Sequence, residues 1–200
     1  KTSGDKFLNT SLSKIGGKGL FTKEIQQALI DKRIDIAVHS MKDVETELPE
    51  KLVISTILER EDVRDSFISR KYSSIAELPL GSVVGTSSLR RKAQLLNKRN
   101  DLKVVEFRGN VQKRLEKLDK NVAVATFLAT AGLNRLGLEN LINPISTNEM
   151  LPAVAQGAVG IEHLYSEKIE EILAPLNDSV SKKRVEAERA FLRELDGSCR

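Results

Sequence analysis

Residues 34–43 read Ile34-Asp35-Ile36-Ala37-Val38-His39-Ser40-Met41-Lys42-Asp43, a strand-like apolar run that ends in polar groups, with one carboxylate, Asp43, placed last. In an open α/β sheet, ligands are handled beyond the carboxyl ends of the strands. Two further stretches repeat the design: Val83-Val84-Gly85-Thr86-Ser87-Ser88-Leu89-Arg90-Arg91 and Val104-Val105-Glu106-Phe107-Arg108-Gly109-Asn110. Each brings arginine to the point where a strand hands over to a helix. The three together predict one acid facing several cations.

Working outward, Thr22 is placed to cap a helix over 22–33 with Ile25, Ala28 and Leu29 on one face, and strand 34–38 follows almost without a loop. Strands are predicted at 52–58 and 66–69, separated by the charged connector 59–65, a candidate hinge. Next come strand 82–85, helix 87–98 with Leu89, Ala93 and Leu96 at helical spacing, and strand 102–107. Asn110 caps a helix striped by Val111, Leu115 and Leu118; strand 122–128 and helix 129–136 follow. A return strand over 154–162 and helices over 166–173 and 181–195 complete the pattern. Such alternation is the signature of a parallel or mostly parallel sheet.

The chain has 200 residues, 40% of them hydrophobic and 30% charged, an ordinary globular balance with room for one domain or two compact ones. The net charge of +4, from 32 basic and 28 acidic residues, is too small to name a partner. Its longest apolar run, within 122–133 and broken by Thr and Gly, falls short of the roughly 20 residues of a membrane span, so no membrane association is expected. A single cysteine rules out an internal disulfide, and the start lacks a secretory leader; a cytoplasmic location is expected. The opening at Lys1 without an initiator Met, and the end at Arg200 directly after Cys199, read as those of a fragment. Six Phe, two Tyr and no Trp offer no stacking platform for nucleic acid, and His39 with His163 cannot assemble a metal cluster.

Arg90 and Arg91 fall in the first turn of a helix, where each cation opposes the macrodipole by about 0.3–1 kcal/mol. Either both extend into water, or an anion offsets them, since helix N-termini with hydroxyls and guanidinium forks suit carboxylates and phosphates. Arg108 and Arg114 repeat the arrangement, with Arg135 less firmly attached to it; several arginines at one sheet edge suit a ligand with several acidic groups. The glycine-rich stretch 14–21 lacks the first glycine and the Ser/Thr of a phosphate-binding P-loop; it reads as a mobile cover bearing Lys14, Lys18 and Phe21, or as a flexible turn. Asp43 reads either as a turn former or, among arginines, as an ionised carboxylate able to stabilise a developing cation. His39 reads as a hydrogen-bonded structural residue. Cys199, on a glycine-marked exit from the last helix, is either an inert thiol or a covalent attachment point.

Eight stretches in series, 13–21 (SKIGGKGLF), 35–44 (DIAVHSMKDV), 59–67 (EREDVRDSF), 85–91 (GTSSLRR), 107–110 (FRGN), 131–138 (AGLNRLGL), 151–162 (LPAVAQGAVGIE) and 187–199 (AERAFLRELDGSC), resemble the porphobilinogen deaminase (hydroxymethylbilane synthase) family. The resemblance covers essentially the whole chain. It implies an enzyme of tetrapyrrole biosynthesis that joins four porphobilinogen molecules head to tail, releasing ammonia each time. The implied cofactor is a dipyrromethane attached by a thioether at the position of Cys199. By the same implication Asp43 is the catalytic carboxylate, while Lys42, Ser88, Arg90, Arg91 and Arg114 contact the cofactor. Arg108, Arg114 and Arg135 contact substrate or the growing linear polypyrrole, and Thr86, Ser87, Lys14, Lys18, Phe21 and Gln156 are secondary contacts.

The implied fold is α/β: two periplasmic-binding-protein-like (type II) domains with a cleft between them, plus the start of a third α/β domain. The corresponding boundaries are 1–58 with 158–175 for the first domain, its first strand missing, 64–151 for the second, and 179–200 for the start of the third. Ser198 and Ala155 stand where many members have glycine. The partners implied are small molecules alone, acting on a monomer. The competing class is a non-catalytic protein of the same two-domain fold that binds an anionic solute.

Overall fold

The computed structural model describes residues 22–195, so Lys14, Lys18, Phe21 and Cys199 lie outside the described residues. The chain divides into two compact units: one runs to Asp62 and resumes at Val154, the other is Val63–Ala153. The crossing at Asp62 falls inside the charged connector.

The first unit begins with helix α1 (Lys23–Ile30), strand β1 (Ala37–Ser40), a 3₁₀ turn at Met41–Asp43, and strand β2 (Leu52–Ile57). The strand starts later than its apolar run suggests because the helix exit consumes the intervening residues. Lys32 takes a left-handed φ of 56°, and the amides of Arg33 and Ile34 both donate to the Ala28 carbonyl. The second unit contains β3 (Asp65–Ser69), β4 (Val83–Gly85), α2 (Leu89–Lys98), β5 (Lys103–Val105), α3 (Val111–Asp119), β6 (Ala125–Ala129) and α4 (Thr130–Arg135). The chain then returns to the first unit as β7 (Val159–Leu164), α5 (Glu167–Leu173) and α6 (Ser179–Glu194).

In the second unit the sheet order is β3-β6-β4-β5, with β4 parallel to both its neighbours and β3 antiparallel to β6, Asp65 facing Ala129. Alternate residues of β3 and β6 enter opposite cores. Phe67 and Phe127 pack with Val84, Leu95 and Met150 on one face; Ile68 and Leu128 pack with Phe107, Leu118 and Leu133 on the other. Helices therefore cover both faces of a mostly parallel sheet, as the alternating pattern predicts.

The first unit departs from that prediction. Its described sheet has the order β1-β7-β2, and both pairings are antiparallel. The alternation of elements records chain order and not which strands pair. Here the central strand follows the whole of the second unit in sequence and runs opposite to the two strands it separates. It also starts later than the predicted 154–162 run, because Ala155 (φ 57°) and Gly157 (φ 87°) make a left-handed turn instead of extended backbone. A Cβ on Gly157 would lie 2.4 Å from the Glu61 carbonyl oxygen, so this turn packs directly on the connector backbone of the same unit.

Helix α6 belongs to this unit's packing. Asp178 caps it by accepting from the Ser181 amide at 2.7 Å, and Val185 joins Met41, Val44, Ile57, Ala155 and Ala158 in one core. Arg60 lays a bidentate fork on Glu188 of α6 and donates from Nε to the Gln156 carbonyl, while Glu188 accepts from the Ala155 amide. No described helix is long and apolar enough to cross a membrane.

Candidate functional site

Because β4, β5 and β6 are parallel, their carboxyl ends share one edge of the second unit, and α2, α3 and α4 all begin there. The hydroxyls of the first connection are engaged by backbone. Thr86 is buried and its Oγ1 accepts from the Ser88 amide, Ser87 Oγ accepts from the Phe107 amide at 2.9 Å, and Ser88 caps α2 by accepting from the Arg91 amide. These bonds tie the β4–α2 connection to the β5–α3 connection. Gly85 lets them come together: a Cβ there would lie 2.3 Å from the Phe107 ring.

The two arginines of α2 do not simply extend into water: a carboxylate of the same unit holds both. Asp65, fully buried at the start of β3, accepts from Arg91 Nε at 3.2 Å and Nη2 at 2.7 Å through Oδ1, and from Arg90 Nη2 at 2.6 Å through Oδ2. Arg91 Nη1 also donates to the Phe127 carbonyl at 2.9 Å, and Arg90 Nη1 to that of Leu151. Burial by itself would raise the Asp65 carboxyl, but the charges and hydrogen bonds of Arg91 and Arg90 outweigh it and hold it below the usual carboxylate range. Drawing Arg91 inward also turns the helix. Leu89 is 62% exposed and Ala93 is exposed, so the buried face is Arg91 with Leu95 and not the predicted Leu89-Ala93-Leu96 stripe.

On the second connection, Asn110 caps α3 by accepting from the Lys113 amide, Gly109 takes a φ of 122°, and Arg114 Nε donates to the Gly109 carbonyl at 2.8 Å. Half-buried Arg108 follows the buried Phe107, and Lys117 donates to the Arg108 carbonyl while lying 5.4 Å from the centre of the Phe107 ring. Arg90, Arg91, Arg108 and Arg114 thus belong to one edge. Arg135 does not share it: it ends α4, five residues on from Thr130 and so about 7.5 Å along the helix from the sheet edge.

In the first unit, Lys42 and exposed Asp43 follow β1 in the 3₁₀ turn. Met41, 2% exposed, anchors that turn through its amide to the Ala158 carbonyl, and a Cβ on Gly160 would lie 2.3 Å from its Sδ. Arg189 of α6 donates to the carbonyls of Val44 and Glu45, fixing the backbone just past Asp43. Gln156 is buried in the turn before β7. His39 has the structural place expected of it: its Nε2 is 2.7 Å from Glu162 Oε2, and Glu162 Oε1 accepts from Gln26 at 2.9 Å.

Sequence reasoning missed Asp65, Glu162 and Arg189. For Asp65 a signal existed, since two cations in a helix's first turn require a counter-charge, but three other acids in the same connector gave nothing local to choose it by.

These two units, each a sheet flanked by helices and exchanging the chain twice, define an α/β protein of the type II periplasmic-binding-protein-like class. The same fold appears in a putative methionine-binding lipoprotein of Bacillus subtilis, with TM-score 0.51 and 17% identity over 82% of this chain and 78% of that one. It appears also in an ABC transporter periplasmic substrate-binding protein from Coxiella burnetii, with TM-score 0.50 and 14% identity over 86% and 81%. The family described as "Porphobilinogen deaminase, dipyromethane cofactor binding domain" matches residues 1–171, and the chain belongs to the porphobilinogen deaminase family. Its sequence is 58% identical over its full length to the porphobilinogen deaminase of Paracoccus denitrificans, covering 64% of that protein. The chloroplastic porphobilinogen deaminases of Pisum sativum and Oryza sativa are 57% and 56% identical over all of this chain, which spans 55% and 56% of their lengths.

Proposed function

We propose that this chain is part of a transferase that joins porphobilinogen units head to tail, forming a carbon–carbon bond and releasing ammonia at each step, with water finally cleaving the four-unit chain from its primer as hydroxymethylbilane. The observation that carries the reading is the arginine edge of the second unit, where Arg90, Arg91, Arg108 and Arg114 stand on the connections that follow parallel strands and the buried carboxylate of Asp65 pairs with Arg90 and Arg91. Guanidinium groups gathered at one edge suit pyrroles, each of which carries two acidic side chains, and the donor set therefore fits a dipyrromethane. When bound, the dipyrromethane supplies the pyrrole onto which the next unit is joined.

Within that reading Cys199 is the thioether attachment point. Lys42, Ser88, Arg90, Arg91 and Arg114 hold the acidic groups of the primer, while Arg108, Arg114 and Arg135 hold substrate and the growing chain. Asp43, exposed on its anchored turn, stabilises positive charge at a pyrrole nitrogen as ammonia departs from the aminomethyl group, whose methylene carbon stays to form the new bond, an effect worth about 3 kcal/mol where water is excluded. Thr86, Ser87, Lys14, Lys18, Phe21 and Gln156 are secondary contacts in this reading. The residues after α6 lead into a third domain, and the protein acts as a cytoplasmic monomer. Identity of 56–58% to deaminases, against 14–17% to solute-binding proteins, supports the enzyme over the binding module.

The test is the intact mass of the purified protein beside its Cys199→Ser variant, followed by addition of porphobilinogen. A surplus of two porphobilinogen units less two ammonia, absent from the variant, together with ammonia release, is the expected result. A bare polypeptide mass with no ammonia released overturns the reading.

A further inference from the structure

Two adjacent guanidinium groups occupy the first turn of α2, where the helix dipole disfavours cations, and the residue that makes this tolerable has no role in the assignments above. Asp65 opens β3, the antiparallel edge strand, and its partner in register is Ala129, the last residue of β6. This pairing brings a carboxylate from a strand start to the edge where the three parallel strands end. One oxygen takes two donors of Arg91 and the other takes one donor of Arg90. The opposite arm of each fork is tied to backbone, Arg91 to the Phe127 carbonyl and Arg90 to the Leu151 carbonyl. A planar guanidinium held at two points has its plane fixed, whereas one held at a single point can swing. The charges also fail to cancel: one carboxylate is set against two cations.

Resting on the deaminase reading, we propose that Asp65 is a positioning residue for the anionic primer: without touching it, Asp65 sets the planes of Arg90 and Arg91 and leaves that pair one positive charge in excess. Asp65 is then more than an anchor for β3, because the length of its side chain, and not merely its charge, determines where the forks present their remaining N–H donors. Asp65→Glu keeps the charge and displaces the carboxylate by one methylene. Asp65→Asn keeps the shape and removes the charge.

Wild type and both variants are purified as intact protein and compared at temperatures well below each melting midpoint, so that only folded molecules are scored. Intact mass gives the fraction carrying the two-pyrrole surplus, and ammonia release with rising porphobilinogen gives kcat per loaded site and KM separately. A displaced binding group costs about tenfold to a hundredfold in such readouts, so Asp65→Glu is expected to lower primer occupancy or raise KM by that factor while kcat per loaded site changes far less. A loss of folded protein alone would lower the amplitude and leave KM unchanged. Wild-type occupancy and KM in Asp65→Glu overturn the positioning role, and they do so whether or not Asp65→Asn folds. A wild-type protein with neither surplus mass nor ammonia release overturns the functional reading itself, an outcome distinct from loaded wild type beside an equally loaded variant.

Discussion

Each unit contains a strand glycine whose missing Cβ is replaced by a neighbour's side chain, and in both the neighbour stands immediately before the candidate functional residues. Gly85 in the second unit makes room for Phe107, which precedes Arg108; Gly160 in the first makes room for Met41, which precedes Lys42 and Asp43. The difference lies in what fills the gap. Phe107 is a rigid ring, fully buried, with Lys117 above its face; Met41 is a flexible thioether that can shift. The arginine edge is thus built on a stiff support and the lone carboxylate on a compliant one. In both units the candidate functional side chains follow directly on a buried residue that fixes the backbone before them.

The largest expected effect separates chemistry from support. Asp43→Asn should lower ammonia release by about a hundredfold to a thousandfold, yet, because Asp43 is exposed, leave stability within about 0.5 kcal/mol. Urea unfolding alongside a turnover assay checks both, and an equal loss in each would make Asp43 a structural residue. Next, Glu162→Ala should destabilise the first unit by about 3 kcal/mol, since it strips the buried His39 and Gln26 of their shared acceptor. The urea midpoint measures this, and a shift no larger than that of an exposed Glu→Ala control would contradict it.

The glycine comparison itself is broken or sharpened by one pair of variants. Gly85→Ala should cost about 1–3 kcal/mol through collision with the Phe107 ring. Gly160→Ala should cost less, because the nearest atom is the end of a flexible side chain, although Ile57 Cδ1 at 3.0 Å limits the relief. Equal melting-temperature shifts would remove the distinction between stiff and compliant supports.

Acid should weaken both units over one range of pH. Asp65 in the second and Glu188 in the first have folded pKa values held below their usual ones. Their contribution is therefore complete above the unfolded carboxylate range, near pH 4, and is lost as pH falls through the lower folded values. Asp101, in the second unit, is held at about 2 by its hydrogen bond from Arg99 and acts in the same sense. A pH series of unfolding midpoints should be flat above about pH 5 and fall below pH 4. In Asp65→Asn the second unit's share of that fall should shrink, leaving the part due to Asp101. The smallest effect expected is from Ala155→Gly: with φ at 57°, relief of left-handed strain should stabilise the first unit by about 0.5–1 kcal/mol, read from the melting temperature.

Local patterns made most elements legible within a few residues. The stripe Val111-Leu115-Leu118 packs as predicted, as does the α1 face with Ala28 and Leu29 buried. What stayed illegible was long range. Nothing near Leu89 announces that Asp65 will pull Arg91 inside and turn the helix, and nothing near Glu162 announces that its strand will be central and its carboxylate wholly enclosed. Thr86, Ser87 and Ser88 were read for the chemistry they offer a ligand, yet each hydroxyl also holds a backbone amide. Hydroxyls near a helix start suit both tasks, and sequence cannot divide them.

The central place of β7 bears on the birth of the molecule. His39 and Glu162, which join β1 to β7, are 123 residues apart in sequence. At about 5–20 residues per second a ribosome needs on the order of ten seconds to synthesise what lies between them. The second unit is one continuous stretch whose partners are all made within that interval, so it can fold during synthesis while β1 and β2 still await the strand between them. Strands β1 and β2 emerge before the second unit and are joined only after it.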